Sequence, residues 1–145
     1  MKKLATILLM MVMVIAGSTT LDAKTKKKGK TGASSGYSFR YKGNIGPYDV
    51  RVDLKGYNES RDIGCGGIAM DLKGNYTYTK AGNSLRLEGF VCYGLGFMTL
   101  QEYTKSGKNS GTWDLNSDDG FYTVYGTFTN NSNGQVYNVY LKSID

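Results

Sequence analysis

The sequence contains no histidine, one proline, one tryptophan and two cysteines among its 145 residues. Without histidine, a Ser-His-Asp or Cys-His catalytic unit, an imidazole general base and a histidine-bearing zinc site are all excluded. Two cysteines are too few for a four-thiolate zinc site. These absences favour a binding or structural role over catalysis, and the length is that of a single domain.

The first residues have the pattern of a secretory signal peptide. Lys2 and Lys3 are followed by an apolar run at Leu4–Ala16, and the small residues near its end predict cleavage after Ser18, or alternatively after Ala23. A helix of this run would span about 20 Å, which is short of the roughly 30 Å hydrocarbon layer of a membrane. We therefore predict a periplasmic or secreted protein without a permanent membrane span.

The formal net charge is +6, but the positive excess lies outside the predicted folded part. Two of the basic residues belong to residues 1–18, and five lysines fall within Lys24–Lys30. From residue 31 onward, 11 basic residues balance 11 acidic ones, which argues against nucleic acid as a partner. We predict residues 19–36 to be a disordered lysine-rich spacer, whose lysines either contact an acidic polymer or are simply solvated.

The remaining chain, residues 37–145, is predicted to be one all-β domain and holds all 12 Tyr, five Phe and the Trp. Apolar and polar residues alternate there with period two, as in half-buried strands, and no helical period is present. Glycine, asparagine and aspartate clusters that favour turns separate the strands. The alternation recurs in eight stretches: Tyr37–Tyr41, Tyr48–Leu54, Ile68–Tyr78, Leu85–Val91, Met98–Leu100, Gly111–Leu115, Tyr122–Phe128 and Tyr137–Leu141.

Short turns make neighbouring strands antiparallel, and an even number of strands lets the first pair with the last in the same sense. Closure into an eight-stranded up-and-down barrel removes both exposed edges, and this is the predicted fold. A two-sheet β-sandwich has similar strand signals and is the alternative. Gly74, within the longest stretch, predicts a bend in a strongly curved sheet.

Five short motifs of strand and turn residues recur along the predicted barrel: Gly74-x-Tyr76-x-Tyr78, Leu85-x-Leu87-x-Gly89, Thr99-Leu100-x-Glu102, Gly111-Thr112-Trp113 and Tyr125-Gly126-Thr127-Phe128. With these motifs the chain resembles small secreted bacterial β-barrel proteins of unassigned activity, whose general shape is avidin-like or lipocalin-like. The resemblance spans roughly residues 44–142 and implies a fold without implying a ligand. It does not extend to avidin itself, because a single tryptophan cannot supply that family's set around the ligand.

Aromatic residues at one mouth of the barrel are the predicted ligand contacts. An eight-stranded barrel is either filled by its own side chains or wide enough for one small ligand, and the sequence leaves both open. Flat rings with a few hydroxyl groups suit a small apolar or glycan-like molecule. The candidate ligand-binding residues are Tyr76, Tyr78, Glu102, Trp113, Tyr122 and Tyr137.

Glu102 is the charged member of this set. It shares the inward parity of Met98 and Leu100, so it is predicted either to contact a ligand or to pair with an arginine such as Arg86 or Arg40. Alternatively the strand ends before it, and the carboxylate is solvated.

No catalytic residue, cofactor or metal is predicted. Glycoside cleavage requires two carboxyl groups at a set separation, about 5 to 10 Å. Asp118 and Asp119 are adjacent, but they precede Gly120 in a polar stretch where aspartate commonly forms a turn. The strand carboxylates at Asp49, Asp53, Asp71 and Glu88 have outward parity beside basic residues and indicate surface charge.

Export makes a disulfide between Cys65 and Cys92 an option. A straight hairpin in which Tyr78 faces Leu85 places Cys92 opposite Asp71, about 20 Å from Cys65, which is too far for a bridge. The glycines that flank both cysteines would let the chain fold back and bring the sulfurs together. The pattern alone does not decide between these two arrangements.

Two functions are compatible with these patterns. The first is an exported, non-catalytic binding module for a small apolar or glycan-like ligand at one barrel mouth. The second is a solid-cored protein that acts through its surface, as an inhibitor of another secreted protein or as an envelope accessory protein. The second predicts an exposed patch, for which Gly56–Gly67 with Tyr57, Arg61 and Ile63 is the candidate stretch.

Overall fold

The computed structural model describes residues 34–145, and all of the secondary structure in this part is strand. The predicted signal peptide and most of the predicted spacer lie outside the described residues. The first strand begins three residues before the predicted domain start at residue 37. The strands are β1 (Ser34–Ile45), β2 (Tyr48–Asp62), β3 (Gly67–Tyr78), β4 (Ser84–Cys92), β5 (Phe97–Tyr103), β6 (Asn109–Asn116), β7 (Thr123–Asn130) and β8 (Val136–Ser143).

The eight strands form a closed barrel in chain order, and every neighbouring pair is antiparallel. The barrel closes where β1 pairs with β8, from Tyr41 opposite Ser143 to Ile45 opposite Val139. The predicted up-and-down barrel is thus confirmed, and the β-sandwich alternative is wrong because this pairing leaves no open edge. Within residues 34–145, no helix is long and apolar enough to cross a membrane.

Up-and-down connectivity places alternate connections at the same end of the barrel. We call one end the tyrosine end; it holds the connections at residues 46–47, 79–83, 104–108 and 131–135. We call the other the disulfide end; it holds the connections at residues 63–66, 93–96 and 117–122 together with the start of β1 and the end of β8. The two ends therefore carry different side chains and are considered separately below.

The alternation of the sequence directs one face of each strand into a shared core. Val50, Val52 and Leu54 of β2 are buried, whereas the residues between them are exposed or half-buried, and the other strands repeat this pattern. Tyr48 has the same parity but is 52% exposed, because it is the first residue of β2 and lies at the rim. At the centre, Trp113 of β6 is fully buried. The core is therefore built from the period-two face that the sequence predicts.

Gly74 lies where two strands approach closely. It faces Leu54 on β2 and Leu87 on β4. A Cβ atom at this position would lie 1.9 Å from the carbonyl oxygen of Asp53. The position excludes every side chain, which is the physical reason for a glycine inside a long strand of a curved sheet.

Cys65 and Cys92 form a disulfide with their Cα atoms 5.5 Å apart. The predicted hairpin register was wrong by two residues, because Cys92 faces Ala69 and not Asp71. The β2–β3 connection then folds back over the end of β4. Its backbone packs so closely there that a Cβ atom on Gly94 would lie 2.2 Å from the carbonyl oxygen of Cys65. The second arrangement considered above is therefore present, because the glycines allow the connection to fold back.

Candidate binding site at the tyrosine end

Five of the six predicted ligand-contact residues belong to one connected cluster at or below the tyrosine end. On β3, the ring centroids of Tyr76 and Tyr78 are 5.3 Å apart. Trp113, from β6, meets Tyr76 edge to face with a centroid distance of 4.9 Å. Phe128 lies 5.5 Å from Trp113 and links it to Tyr137 on β8, whose ring is 6.3 Å from that of Phe128. Glu102 joins the cluster through hydrogen bonds. These side chains therefore form one aromatic column from the core to the rim.

Tyr122 is the exception, and its predicted inward orientation was wrong. It lies in the connection before β7 at the disulfide end, where its ring is 52% exposed and the Lys142 ammonium group sits 5.9 Å from the ring centroid. The inward positions there are Phe121 and Val124, both buried. The alternation fails because β7 begins only at Thr123, so the parity of the strand does not extend back to residue 122.

Glu102 is buried inside the tyrosine end, with 4% of its surface exposed. Its Oε2 accepts a hydrogen bond from the Tyr76 hydroxyl at 2.5 Å, and its Oε1 accepts one from Ser110 at 2.6 Å. The predicted inward orientation is therefore present and the solvated alternative is wrong. The suggested arginine partners are also wrong, because Arg86 pairs with Glu88 and Arg40 with Asp145.

The middle of the barrel is occupied by side chains. Trp113 and Tyr76 are 0% and 1% exposed, and they contact each other across the interior. The indole Nε1 of Trp113 is buried without a hydrogen-bond partner in the described part of the chain. A molecule could contact Trp113 only by displacing core side chains. Of the two interiors left open by the sequence, the one filled by its own side chains is therefore present around Trp113.

An open pocket of about 540 Å³ lies above this column, at the rim of the tyrosine end. The Tyr48 ring stands nearly perpendicular to Tyr78, at 86° and a centroid distance of 5.9 Å. It also meets Tyr137 at 6.4 Å and 65°. One acidic and one basic side chain accompany these rings. The pocket is lined by Pro47, Tyr48, Asp49, Tyr78, Lys80 and Ala81.

The tight β1–β2 connection sets the position of Tyr48. Gly46 has a φ of +52°, a conformation that favours glycine, and a Cβ atom there would lie 2.9 Å from Cδ1 of Tyr137. Pro47 then restricts the backbone immediately before Tyr48.

Tyr78 is the one lining residue that belongs to the predicted ligand-contact set, so the prediction missed Pro47, Tyr48, Asp49, Lys80 and Ala81. Asp49 was assigned to surface charge, and its place at the start of β2 is what puts it at the pocket. The available signal was a tyrosine of inward parity directly after a two-residue turn, which places it at the rim.

Burial raises the pKa of four tyrosines among the described residues, Tyr41, Tyr76, Tyr78 and Tyr93, of which Tyr76 and Tyr41 are the most deeply buried. The pKa of Tyr76 is raised first by desolvation and then by its hydrogen bond to Glu102. At the disulfide end, desolvation raises the pKa of Tyr41, whose hydroxyl donates to the carbonyl of Phe121 at 2.9 Å. Both phenols therefore hold their protons more tightly in the folded state than in an unfolded chain, where a tyrosine pKa is about 10.

This difference predicts a loss of stability at alkaline pH. Because the pKa of each tyrosine is higher in the folded protein than in the unfolded chain, its protonated hydroxyl adds to the free energy of unfolding. This contribution is complete below about pH 10 and is lost as the pH rises above it. Each such tyrosine contributes a slope of up to about 1.4 kcal/mol per pH unit. Urea unfolding between pH 8 and 11 is expected to show the decline, and Tyr76→Phe is expected to make it shallower. Equal slopes in the variant and the wild type would contradict the assignment.

Two further pockets lie away from this site. One, of about 490 Å³, is on the outer wall beside Arg86 and Tyr103, and the other, of about 320 Å³, lies at the disulfide end beside Tyr41 and Phe121. Within residues 34–145, no group of three or more acidic or cysteine side chains is placed to hold a metal ion. The pocket at the tyrosine end is lined by two aromatic rings, Tyr48 and Tyr78, together with an acidic and a basic side chain, Asp49 and Lys80. The pocket at the disulfide end has more aromatic rings and two aspartates in its lining but no basic side chain.

Comparisons with known proteins add no relative to this description. No protein-family model, no curated protein sequence and no solved structure matches the chain. The similarity to small secreted bacterial barrels therefore stays a prediction from the sequence motifs. Any function must be argued from the geometry of the barrel itself.

Proposed function

We propose that the protein is an exported, non-catalytic binding module that takes a small glycan-like ligand in the pocket at the tyrosine end. The observation that carries the proposal is the arrangement of Tyr48, Tyr78 and Tyr137, whose rings meet at steep angles beside an open pocket. The pocket volume of about 540 Å³ is in the usual range for small-molecule sites. The ligand would sit on the rim of the barrel, above the filled core.

The chemistry of the lining suits a sugar better than a purely apolar molecule. A pyranose ring has an apolar face that packs against a tyrosine ring and hydroxyl groups at its edge. Asp49 and Lys80 supply one acceptor group and one donor group at the pocket wall. Tyrosines combine flat apolar surface with a polar tip, so they contact both parts of such a ligand.

The disulfide supports the proposed export. Disulfides persist in oxidising compartments and are rare in the cytosol of most cells. Cys65 and Cys92 are bridged, and both are buried. Together with the signal-peptide pattern of residues 1–18, this favours a periplasmic or secreted location.

The arrangement of carboxylates supports a non-catalytic role. Asp49 is the one carboxylate among the residues that line the pocket, whereas glycoside hydrolysis generally uses two. At the disulfide end, Asp118 accepts a hydrogen bond from Tyr125 and Asp119 accepts one from the backbone of Thr123. These two aspartates therefore organise a turn and lie far from the tyrosine end.

Tyr48→Ala tests the proposal. Titration calorimetry and saturation-transfer NMR of the exported protein with cellobiose, maltose, lactose and chitobiose are expected to detect binding of at least one sugar. The affinity of Tyr48→Ala for that sugar is expected to be about tenfold lower than that of the wild type, or about 1.4 kcal/mol, because the tyrosine ring on which the sugar packs is removed. Tyr48→Phe keeps the ring and is expected to retain most of the affinity.

Tyr122→Ala is the matched control for this substitution. Its ring is as exposed as that of Tyr48, at 52%, but it lies at the disulfide end. The control is expected to bind the same sugar with unchanged affinity. Equal losses in Tyr48→Ala and Tyr122→Ala, or no binding of any of the four sugars by the wild type, would refute the proposed function.

A second candidate function is favoured by one feature of the disulfide end. Ile63 is fully exposed in the β2–β3 connection, and Leu95 is 63% exposed in the β4–β5 connection. The bridge between Cys65 and Cys92 ties these two connections together. A surface-acting inhibitor or envelope accessory protein would use such rigid apolar tips, and Ile63→Ser would then abolish its partner binding without affecting the pocket.

A further inference from the structure

The pocket of about 490 Å³ on the outer wall of the barrel is not used by the proposed function. A row of three residues that face one another across β3, β4 and β5 contributes to its lining: Asn75, Arg86 and Tyr103. The β5–β6 connection adds Lys105 and Ser106. The pocket therefore lies between the outer face of the sheet and a connection, and it shares no lining residue with the pocket at the tyrosine end.

The charged side chains that line this pocket are all positive. Arg86 and Lys105 belong to the lining, whereas no aspartate or glutamate does. Two carboxylates on the neighbouring outer surface are paired with arginines. Glu88 pairs with Arg86 from outside the lining, and Asp53 pairs with Arg51. A cleft lined by charge of one sign concentrates ligands of the opposite sign, so this pocket favours an anion.

Arg86 is held in place by two neighbours. The carbon at the centre of its guanidinium group lies 4.7 Å from the centroid of the Tyr103 ring, and its Nη1 atom lies 3.0 Å from Oε1 of Glu88. A guanidinium group has five N–H donors in a planar fork, so the contact with Glu88 leaves donors for a ligand. This fork matches the oxygens of a carboxylate, sulfate or phosphate group. A side chain that is already positioned loses less freedom on binding.

Most of the remaining lining is polar. Asn75, Ser84 and Ser106 offer amide and hydroxyl groups, and the Thr104 hydroxyl lies 2.9 Å from that of Ser106. Leu85 is half-buried and adds a small apolar surface. The volume is much larger than a single inorganic ion requires and lies in the usual range for small-molecule sites. A molecule of monosaccharide size that carries several hydroxyl groups fits this lining.

We propose that the outer-wall pocket binds an acidic sugar, which is a monosaccharide unit with a carboxylate, sulfate or phosphate group. The acidic group would contact Arg86 and Lys105, and the sugar hydroxyls would contact Asn75, Ser84 and Ser106. The site is separate from the pocket at the tyrosine end. The inference therefore goes beyond the proposed function and does not depend on it.

The test compares glucuronate, glucose 6-sulfate and glucose 6-phosphate with glucose, by titration calorimetry and saturation-transfer NMR of the exported protein. At least one acidic sugar is expected to bind about tenfold or more tightly than glucose, and the tightest of the three identifies the acidic group. Arg86→Gln is expected to lower its affinity about tenfold, and Lys105→Gln about threefold. Arg86→Lys keeps the charge but loses the planar fork, so it is expected to recover only part of the affinity.

Arg51→Gln is the matched control. Arg51 is 51% exposed, close to the 54% of Arg86, and it also pairs with a carboxylate, but it does not line the pocket. Its replacement is expected to leave the affinity for the acidic sugar unchanged. Equal losses in Arg51→Gln and Arg86→Gln would show attraction to the general surface charge and would overturn the site.

Tyr48→Ala separates this inference from the proposed function. The variant is expected to bind the acidic sugar as tightly as the wild type, because Tyr48 lines the other pocket. A loss of affinity in this variant would place the acidic sugar at the tyrosine end and overturn the separate site, while the proposed function would stand. Glucose binding as tightly as every acidic sugar, or no binding of any acidic sugar, would also overturn the outer-wall site alone.

Discussion

Replacing Trp113 with alanine is expected to lower the free energy of unfolding by about 4 kcal/mol, the largest effect of any single substitution considered. The indole is fully buried and packs edge to face against Tyr76 on one side and Phe128 on the other. Removing it leaves a large cavity in the middle of a closed barrel. Paired strands surround this cavity on every side, so the backbone has little freedom to collapse into it.

Trp113→Phe is the informative companion to this variant. The Nε1 atom of the indole has no hydrogen-bond partner in the described residues, so phenylalanine loses volume but no hydrogen bond. The expected loss is about 1 to 2 kcal/mol, from the smaller cavity alone. Urea unfolding of the wild type and both variants measures the difference. Comparable losses in the two variants would show that the N–H group has a stabilising partner and that the cavity argument is incomplete.

The strands and the closed barrel could be predicted from the sequence because their physical cause is local. Alternation along each strand follows from the pleat, and the turns follow from glycine, asparagine and aspartate at fixed places. Closure followed from the count of strands. None of these steps required knowledge of which residue faces which. The runs that contain Val50, Leu72 and Leu87 were therefore assigned to the core correctly.

The pairing register was harder to predict, because it depends on turn geometry over several residues. The β3–β4 hairpin pairs Tyr76 with Leu85, whereas the predicted hairpin placed Tyr78 there. That shift of two residues preserves the inward and outward faces, so the core prediction was unaffected by the error. The shift alone does not bring the cysteines together, because Ala69 is four residues from Cys65, about 13 Å along a straight strand. The straight-hairpin estimate failed because the β2–β3 connection folds back over the end of β4.

The site could be predicted in composition but not in arrangement. Parity identified Tyr76, Tyr78 and Glu102 as inward residues, and hydrogen bonds join them. It could not show that Tyr122 precedes its strand or that Tyr48 lies at the rim rather than in the core. Both errors occur at strand ends, where alternation no longer indicates direction. The sites of closed barrels lie at strand ends, so this is where periodicity is least informative.

Removal of the disulfide by Cys65→Ala together with Cys92→Ala is expected to lower the free energy of unfolding by roughly 3 kcal/mol. The bridge spans a sequence separation of 27 residues, and in the chain-entropy account a loop of this size restricts the unfolded chain by about that amount. The double substitution avoids a lone thiol. It leaves in place the hydrogen bond from the Tyr93 backbone amide to the carbonyl of Ile68, which holds the start of the β4–β5 connection against β3.

The effect is expected to be confined to stability and to the disulfide end. The pocket is formed at the other end by Tyr48 and Tyr78, so the double variant is expected to keep its sugar affinity while its unfolding midpoint in urea falls. Faster amide exchange is expected at Gly66 and Gly67, which the bridge holds against Gly94. A reducing agent is expected to destabilise the wild type to the same extent and to leave the variant unchanged. Loss of sugar binding in the variant would mean that the two ends are coupled through the barrel, and the filled core around Trp113 would then be the element to examine as the connection.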